Sequence, residues 1–393
     1  MSELKVNSIK GVGASAAAIT VNNTDGTCTA NITNNLSNRR LTINGDMRIA
    51  QRSTSTTLEG YQSIDHFTTI RSGNDNAPTM SQADIASGTT PYSLGFRKSF
   101  KVTNGNQTSG AQANSTSMIV YRLESRDMAT SGWNYTSSSS YITLSFWVKA
   151  SVSQNYYFCV FTQDGTSQQY TMETGVLTAD TWTKIVKTIP GNSNVQFDTD
   201  TEANAAARGF DIQWVMFRGT NTTGTRPLNA WAALDGTSRV PDMTSTWYTT
   251  NDATFELTGV QLEVGSVATD FEFRSFGDEL AKCQRYYERF EYSGSTTDIG
   301  SGFAGSTTSM HINVPLKVTK RATPTLETSA LTNFRSLTTG TNRNLDSGSV
   351  SITASSKESA NILLSGLSGT IGDGGGGALR LVGTGHIAFV SEI

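Results

Sequence analysis

Charge is scarce in this chain. Asp, Glu, Lys and Arg make up only 16% of its 393 residues, and the formal net charge is −3. No Lys/Arg cluster appears, so no basic face exists to neutralise phosphates, and nucleic-acid binding is excluded. Cysteine is equally rare. Cys28, Cys159 and Cys283 lie far apart and in no ligand spacing, which argues against a disulfide framework and against a zinc site. Apolar runs fall well short of the roughly 18 residues of a membrane-spanning helix, so no membrane insertion is expected. The opening MSELKVNSIK has no apolar core of a secretory signal. Synthesis and folding in a bacterial cytoplasm fit these absences. No cofactor is expected.

Ser, Thr, Asn and Gly replace the missing charge, with Gly alone at 36. Aromatic residues still reach 9%, and they fall in alternating runs, which excludes disorder and points to an all-β protein with many turns. Residues 41–274 carry most of these runs. In Tyr141–Lys149, the residues Ile142, Leu144, Phe146 and Val148 alternate with Thr143, Ser145, Trp147 and Lys149. In Phe210–Phe217, Phe210, Ile212, Trp214 and Met216 share a face. Such alternation describes antiparallel strands with one buried side, and two sheets of them make a β-sandwich. In Phe255–Val264 the apolar parity switches after Leu257, so a β-bulge is expected at Thr258–Gly259.

Three further segments flank this sandwich. Residues 1–40 hold scattered apolar residues, Leu4, Val6 and Ile9 among them. They bury too little to fold alone, and they read as an extended arm for attachment or oligomerisation. Residues 275–290 read as a short connecting helix. Ser275 is its cap, Asp278 completes a capping box, and Phe276, Leu280, Cys283 and Tyr287 form one apolar stripe. That stripe suits either the sandwich flank or a shared axis between copies, and with the arm it supplies the oligomer-interface candidates. Residues 291–393 form a second β-rich unit with strand pieces at Met310–Val314, Leu316–Val318, Val350–Ala354, Ser359–Leu364 and His386–Ile393.

Catalytic residues are hard to find. Asp65 and His66 are neighbours, but adjacent strand residues point to opposite faces, a poor geometry for a base and its orienting partner. Asp198, Asp200 and Glu202 alternate in FDTDTEAN and are the candidates for a cation; a solvated loop is the plainer reading. The glycine run 372–377 is not followed by Lys-Ser/Thr and is no phosphate loop. Sugar binding needs flat aromatics beside hydrogen-bonding groups. The loop aromatics Trp133, Trp231 and Trp247, with Tyr135 and Tyr248, are therefore the glycan-binding candidates. Trp147 shares parity with polar residues, which leaves it exposed or packed under a loop.

Two phrases carry a resemblance. LTINGDMRIAQR (41–52) and FELTGVQLEVGSVATDFEFRSFGDELAKCQRYYERF (255–290) are similar to segments that open and close the globular domain of many bacteriophage tail-fibre proteins, and RATPTL (321–326) resembles a phrase of their terminal domains. LTINGDM, YITLSFWVKAS, TWTKIVKTI and FELTGVQLEVG also follow the order seen in carbohydrate-binding modules of families 4, 9 and 22, which are jelly-rolls. The resemblance implies a non-enzymatic virion tail fibre, made in the host cytoplasm; the arm and the helix stripe, which lack a partner within one chain, predict a homotrimer. Its arm would dock on other tail proteins such as an adaptor or nozzle, its 41–274 region would be a jelly-roll, and its 291–393 unit would be the tip that meets host glycan. A carbohydrate-active enzyme or its binding module, and a fibre on the capsid, are the alternatives.

Overall fold

The computed structural model describes residues 6–10, 12, 18–21, 24, 39–294, 297–338, 340–372 and 374–393, with the main chain of 28–30. The protein is all-β. Twelve of its strands make two six-stranded antiparallel sheets that face each other. In the first sheet the order is Trp231–Ala233, Gln168–Val176, Asn155–Thr162, Arg208–Arg218, Thr116–Glu124, Phe67–Ser72. In the second it is Thr183–Pro190, Tyr141–Ala150, Thr254–Val264, Lys98–Thr103, Thr79–Asp84, Ser55–Thr56. Pairing is nested: Asn155–Thr162 pairs with Gln168–Val176 in one sheet, while the flanking Tyr141–Ala150 and Thr183–Pro190 pair in the other. A hairpin ribbon folded over the core in this way is a jelly-roll.

Alternation fills the space between the sheets. Ile142, Leu144, Phe146 and Val148 are fully buried. Phe146 meets Phe158 and Trp214 of the opposite sheet, edge to face, at 5.0 and 5.7 Å between centroids. Each such ring removes a large apolar surface from water and gains from its perpendicular neighbour. The bulge sits where the parity switch places it. The register of Thr254–Val264 against Tyr141–Ala150 slips between Thr258 and Gln261, and Gly259 takes φ 63°.

The C-terminal region has its own core. A seven-stranded sheet runs Thr341–Asn344, Phe334–Thr338, Gly376–Leu381, Thr297–Ser306, Ser309–Pro315, Ser359–Ser365, Ser349–Ser355. A three-stranded sheet, Tyr287–Glu291, His386–Val390 and Thr325–Thr328, packs with it around Phe334, Ile312, Leu379 and Phe389. Leu316–Val318 is not a strand: after Pro315 the chain turns, and Thr325–Thr328 takes the place beside His386–Val390.

The connecting helix is shorter than expected. It covers Phe276–Gln284, with Ser275 accepting from the Asp278 amide at 3.1 Å. Residues 287–291 are strand instead, paired with His386–Val390. The run Tyr-Tyr-Glu-Arg-Phe favours the pleated state, and the ladder satisfies backbone groups that a further helical turn would leave open to solvent. The apolar stripe is accordingly broken. Cys283 and Tyr287 are buried inside the chain, Leu280 is half-buried, and only Phe276 stands out, 57% exposed. Two of the four stripe residues among the interface candidates, Cys283 and Tyr287, are therefore core residues of one chain. In the arm, Val6 and Ile9 are exposed beside a three-stranded sheet of Ser8–Ile9, Ile19–Val21 and Cys28–Ala30; Leu4 lies outside the described residues.

Polar groups join the parts. Glu279 on the helix is buried and accepts from the Arg40 guanidinium and from the Asn44 amide. Glu124 receives Arg285 through Nε at 2.7 Å and Nη2 at 2.8 Å, and Tyr286 through its hydroxyl at 2.7 Å. Gln51 Nε2 donates to the Tyr287 carbonyl at 2.8 Å, and Arg52 pairs with Glu392 at 2.8 Å. The 41–52 and 275–290 phrases are thus two sides of one joint.

Candidate functional site

A cleft of about 290 Å³ opens on the outer face of the second sheet, next to the bulge. Five separated segments build it. Tyr141–Ala150 contributes Ser145 and Trp147, Thr183–Pro190 contributes Lys184, and the bulge contributes Gly259. The turn after the short helix Thr90–Ser93 supplies Leu94 and Phe96, and the irregular segment after Val264 supplies Thr269, Asp270, Phe271 and Phe273.

The bulge shapes the floor. A Cβ on Gly259 would lie 2.8 Å from the Phe96 ring and 3.1 Å from the Trp147 ring. With φ at 63°, only glycine holds this position without strain. Phe96, Phe271 and Phe273 form a triangle of edge-packed rings, with centroids 5.0, 5.1 and 4.8 Å apart. Phe96 is buried beneath, while Phe273 is exposed. The Arg40 guanidinium sits 4.7 Å from the centre of Phe271, which ties this wall to the buried joint. Register places Lys184 directly beside Trp147. Further along the same face Lys149 pairs with Glu256 at 3.0 Å and lies 5.2 Å over Trp182. The cleft lining thus offers one indole, one ammonium (Lys184), one carboxylate (Asp270) and two hydroxyls (Ser145 and Thr269).

The loop aromatics fare differently. Trp133, Trp247 and Tyr248 are buried and present no face to a ligand. Each lies in a polar stretch, yet each polar tip finds a backbone carbonyl: Trp133 Nε1 donates to Ser140 at 3.3 Å, Trp247 Nε1 to Thr254 at 3.0 Å, and the Tyr248 hydroxyl to Gly73 at 2.7 Å. With the tip satisfied, burying the ring is favourable. Trp231 is half-exposed, donates to the Pro190 carbonyl at 2.6 Å and packs on Tyr170. Tyr135 is half-buried against Phe197 and borders a shallow polar dish with Asn194 and Gln196. That dish is roomier, at about 430 Å³, but more open and poorer in aromatic wall. The cleft beside Trp147 is the candidate site.

The acidic candidates do not converge. Glu202 pairs with Arg126 and Lys357, Asp200 accepts from Asn204 at 2.9 Å, and Asp198 accepts from Gln196 at 3.2 Å. Among the described residues no group of three His, Cys, Asp or Glu could hold a metal ion.

Asp65 and His66 also point apart. The Asp65 carboxylate accepts from the Gln51 amide at 2.8 Å. His66, at φ 70°, turns Nε2 to the Arg122 carbonyl at 2.8 Å and lies between the rings of Tyr121 and Tyr286. Burial pushes the Asp65 carboxyl up to about 6 and the His66 imidazole down to about 4. The two act on stability in opposite senses. Stability from His66 is lost as pH falls from its ordinary 6.5 through 4, whereas stability from Asp65 is lost as pH rises from 3.8 through 6. Asp65→Asn leaves the His66 slope unopposed. Between pH 6 and 4 the variant is expected to lose about 2 kcal/mol more than the unaltered protein, read from urea midpoints at the two pH values.

No protein-family model matches the chain, and no curated protein matches it. Among solved structures, the enzymatically active domain of tailspike protein 4 from bacteriophage CBA120 aligns with 57% of this chain at 10% identity and a TM-score of 0.30, and the chain spans only 21% of that structure. A family 4 carbohydrate-binding module aligns with 56% of the chain and 97% of its own length, at 11% identity and a TM-score of 0.28. The N-terminal cellulose-binding domain of Cellulomonas fimi β-1,4-glucanase C gives 56% and 98%, 11% and 0.27. The all-β architecture rests on the sheets described above.

Proposed function

We propose that this chain is a non-enzymatic bacteriophage tail fibre, a homotrimer on the virion, that holds host-surface glycan in the cleft beside Trp147. One observation supports the sugar-binding part: an indole half-open to solvent, walled by Phe273 and ringed by Ser145, Thr269, Asp270 and Lys184. A sugar ring offers an apolar C–H face for the indole and hydroxyls for polar neighbours. Glycosidic cleavage uses a pair of carboxyl groups about 5–10 Å apart, and the cleft lining has a single one, Asp270. That favours binding over hydrolysis. Weak single contacts suffice when several copies engage one surface.

Trp147→Ala is the direct test. Trp147 lies on the outer face, so the variant is expected to fold normally and to bind host cells, or their purified surface polysaccharide, at least about tenfold more weakly. Unchanged binding would sink the cleft assignment, and release of shorter saccharides from the polysaccharide would sink the non-enzymatic one.

The trimer has separate support. Val6, Ile9 and Val12 in the arm, and Phe276 on the helix, are large apolar side chains left exposed, the kind of surface that copies of one chain can cover. Native mass is expected at three times that of the chain; a stable monomer at micromolar concentration contradicts it. The same exposed arm is the part we assign to docking on other tail proteins.

A further inference from the structure

Phe303 is 53% exposed, and it projects from the face of the seven-stranded sheet opposite to Met310, Ile312 and Val314. Its ring stacks on His311 of the next strand, with centroids 5.5 Å and planes 22° apart. The imidazole is held in turn: Nδ1 lies 3.3 Å from Asn361 Oδ1, and that oxygen accepts from the Thr353 hydroxyl at 2.8 Å. On the other side of Phe303 the register sets Gly376. A Cβ added there would meet nothing within 4 Å. The free side of the Phe303 ring therefore faces open space above a bare backbone floor, and we call that space the slot. Ser301 and Asn313, both exposed, lie one step along the same face.

We propose that this slot is a second binding site, separate from the cleft, and that it takes the apolar face of a neutral sugar ring. The ring supplies C–H contact, and Ser301, Asn313, Asn361 and Thr353 supply hydrogen-bonding groups. None of these four groups is charged, and among the described residues Asp298 and Arg380, farther along the same strands, pair with each other at 2.7 Å, which favours a neutral over an acidic saccharide. A second copy of the chain would need an apolar centre within an interface of roughly 800 Å² per partner; around Phe303 the face is instead hydroxyl and amide. The slot shares no residue with the cleft, so either site can fail without the other.

The test uses the full chain and the imidazole NMR signals of its three histidines. The probes are short oligomers of glucose, galactose, mannose and N-acetylglucosamine, with oligogalacturonate as the charged control. At least one neutral oligomer at about 10 mM, a concentration suited to millimolar affinity, is expected to move the His311 signals and leave buried His66 unmoved. Gly376→Leu, whose Cβ has open space around it, is expected to fill the slot and abolish that shift with an unchanged melting curve. Phe303→Ala is expected to weaken it at least about tenfold, while Trp147→Ala leaves it intact. The proposal is overturned if His311 responds to none of the neutral oligomers, if it responds only to oligogalacturonate, or if Gly376→Leu binds as the unaltered chain does. A fall in native mass on Gly376→Leu would likewise overturn it, by showing that copies of the chain meet at this face.

Discussion

Glu279→Leu is expected to destabilise the protein by about 3–5 kcal/mol, the range for removing one partner of a buried ion pair. Glu279 and Arg40 are both fully buried. One carboxylate oxygen receives the Arg40 guanidinium and the other receives the Asn44 amide. Burial already lowers the affinity of Arg40 for its proton, and Glu279 is the main charge that opposes this, with Asp46 adding to it. Without the carboxylate, a guanidinium remains in the joint beside Phe271, with a backbone amide left unsatisfied as well. The urea midpoint should fall without a change in slope. The double variant Arg40→Met/Glu279→Leu should recover much of the loss, because the unpaired charge goes with it. A single variant as stable as the original protein would mean that water reaches this joint.

Lys320→Met is the second large effect. Lys320 is fully buried and pairs with Glu288, and its ammonium also donates to the Gln284 carbonyl at 2.5 Å, at the end of the helix. A cation there complements the helix dipole and satisfies an acceptor that has no helical partner. Methionine fills the volume but strands Glu288, whose carboxylate, among the described residues, still accepts from the Lys317 amide at 3.1 Å. A loss of about 3–5 kcal/mol is expected in thermal or urea unfolding. Glu288→Gln, which keeps an acceptor for the ammonium, should cost less; equal costs would show that packing and not charge decides.

The strands were legible because their signal is local. Ile142 to Val148 alternate within one element, and their partners across the core do the same. Even the bulge is visible, since the apolar parity changes where Gly259 sits. The helix end was not legible: Tyr287 fits the helical stripe, and only the distant strand His386–Val390 claims it for a sheet. The cleft was half legible. Trp147 stands out by its polar parity, but Phe271 and Phe273 come from an irregular segment that carries no period, and Phe96, which shares the parity of Phe100 and Val102, lies just before the strand Lys98–Thr103. Trp133 and Trp247 misled because polar neighbours in sequence say nothing of the carbonyls that accept their indole N–H groups from farther along the chain.

The strand Thr254–Val264 lies between Tyr141–Ala150 and Lys98–Thr103, and this placement bears on biosynthesis. Both neighbours leave the ribosome long before it does. At roughly 5–20 residues per second, the hundred or so residues between Ala150 and Thr254 take about 5–20 s to emerge. Throughout that interval the second sheet exists as two halves, each with an unpaired edge and an apolar face awaiting the same strand. Such edges can pair with those of other nascent chains. Yield during expression should therefore depend on temperature and on chaperone supply, and substitutions in Thr254–Val264 should lower yield more than they lower the stability of molecules that finish folding.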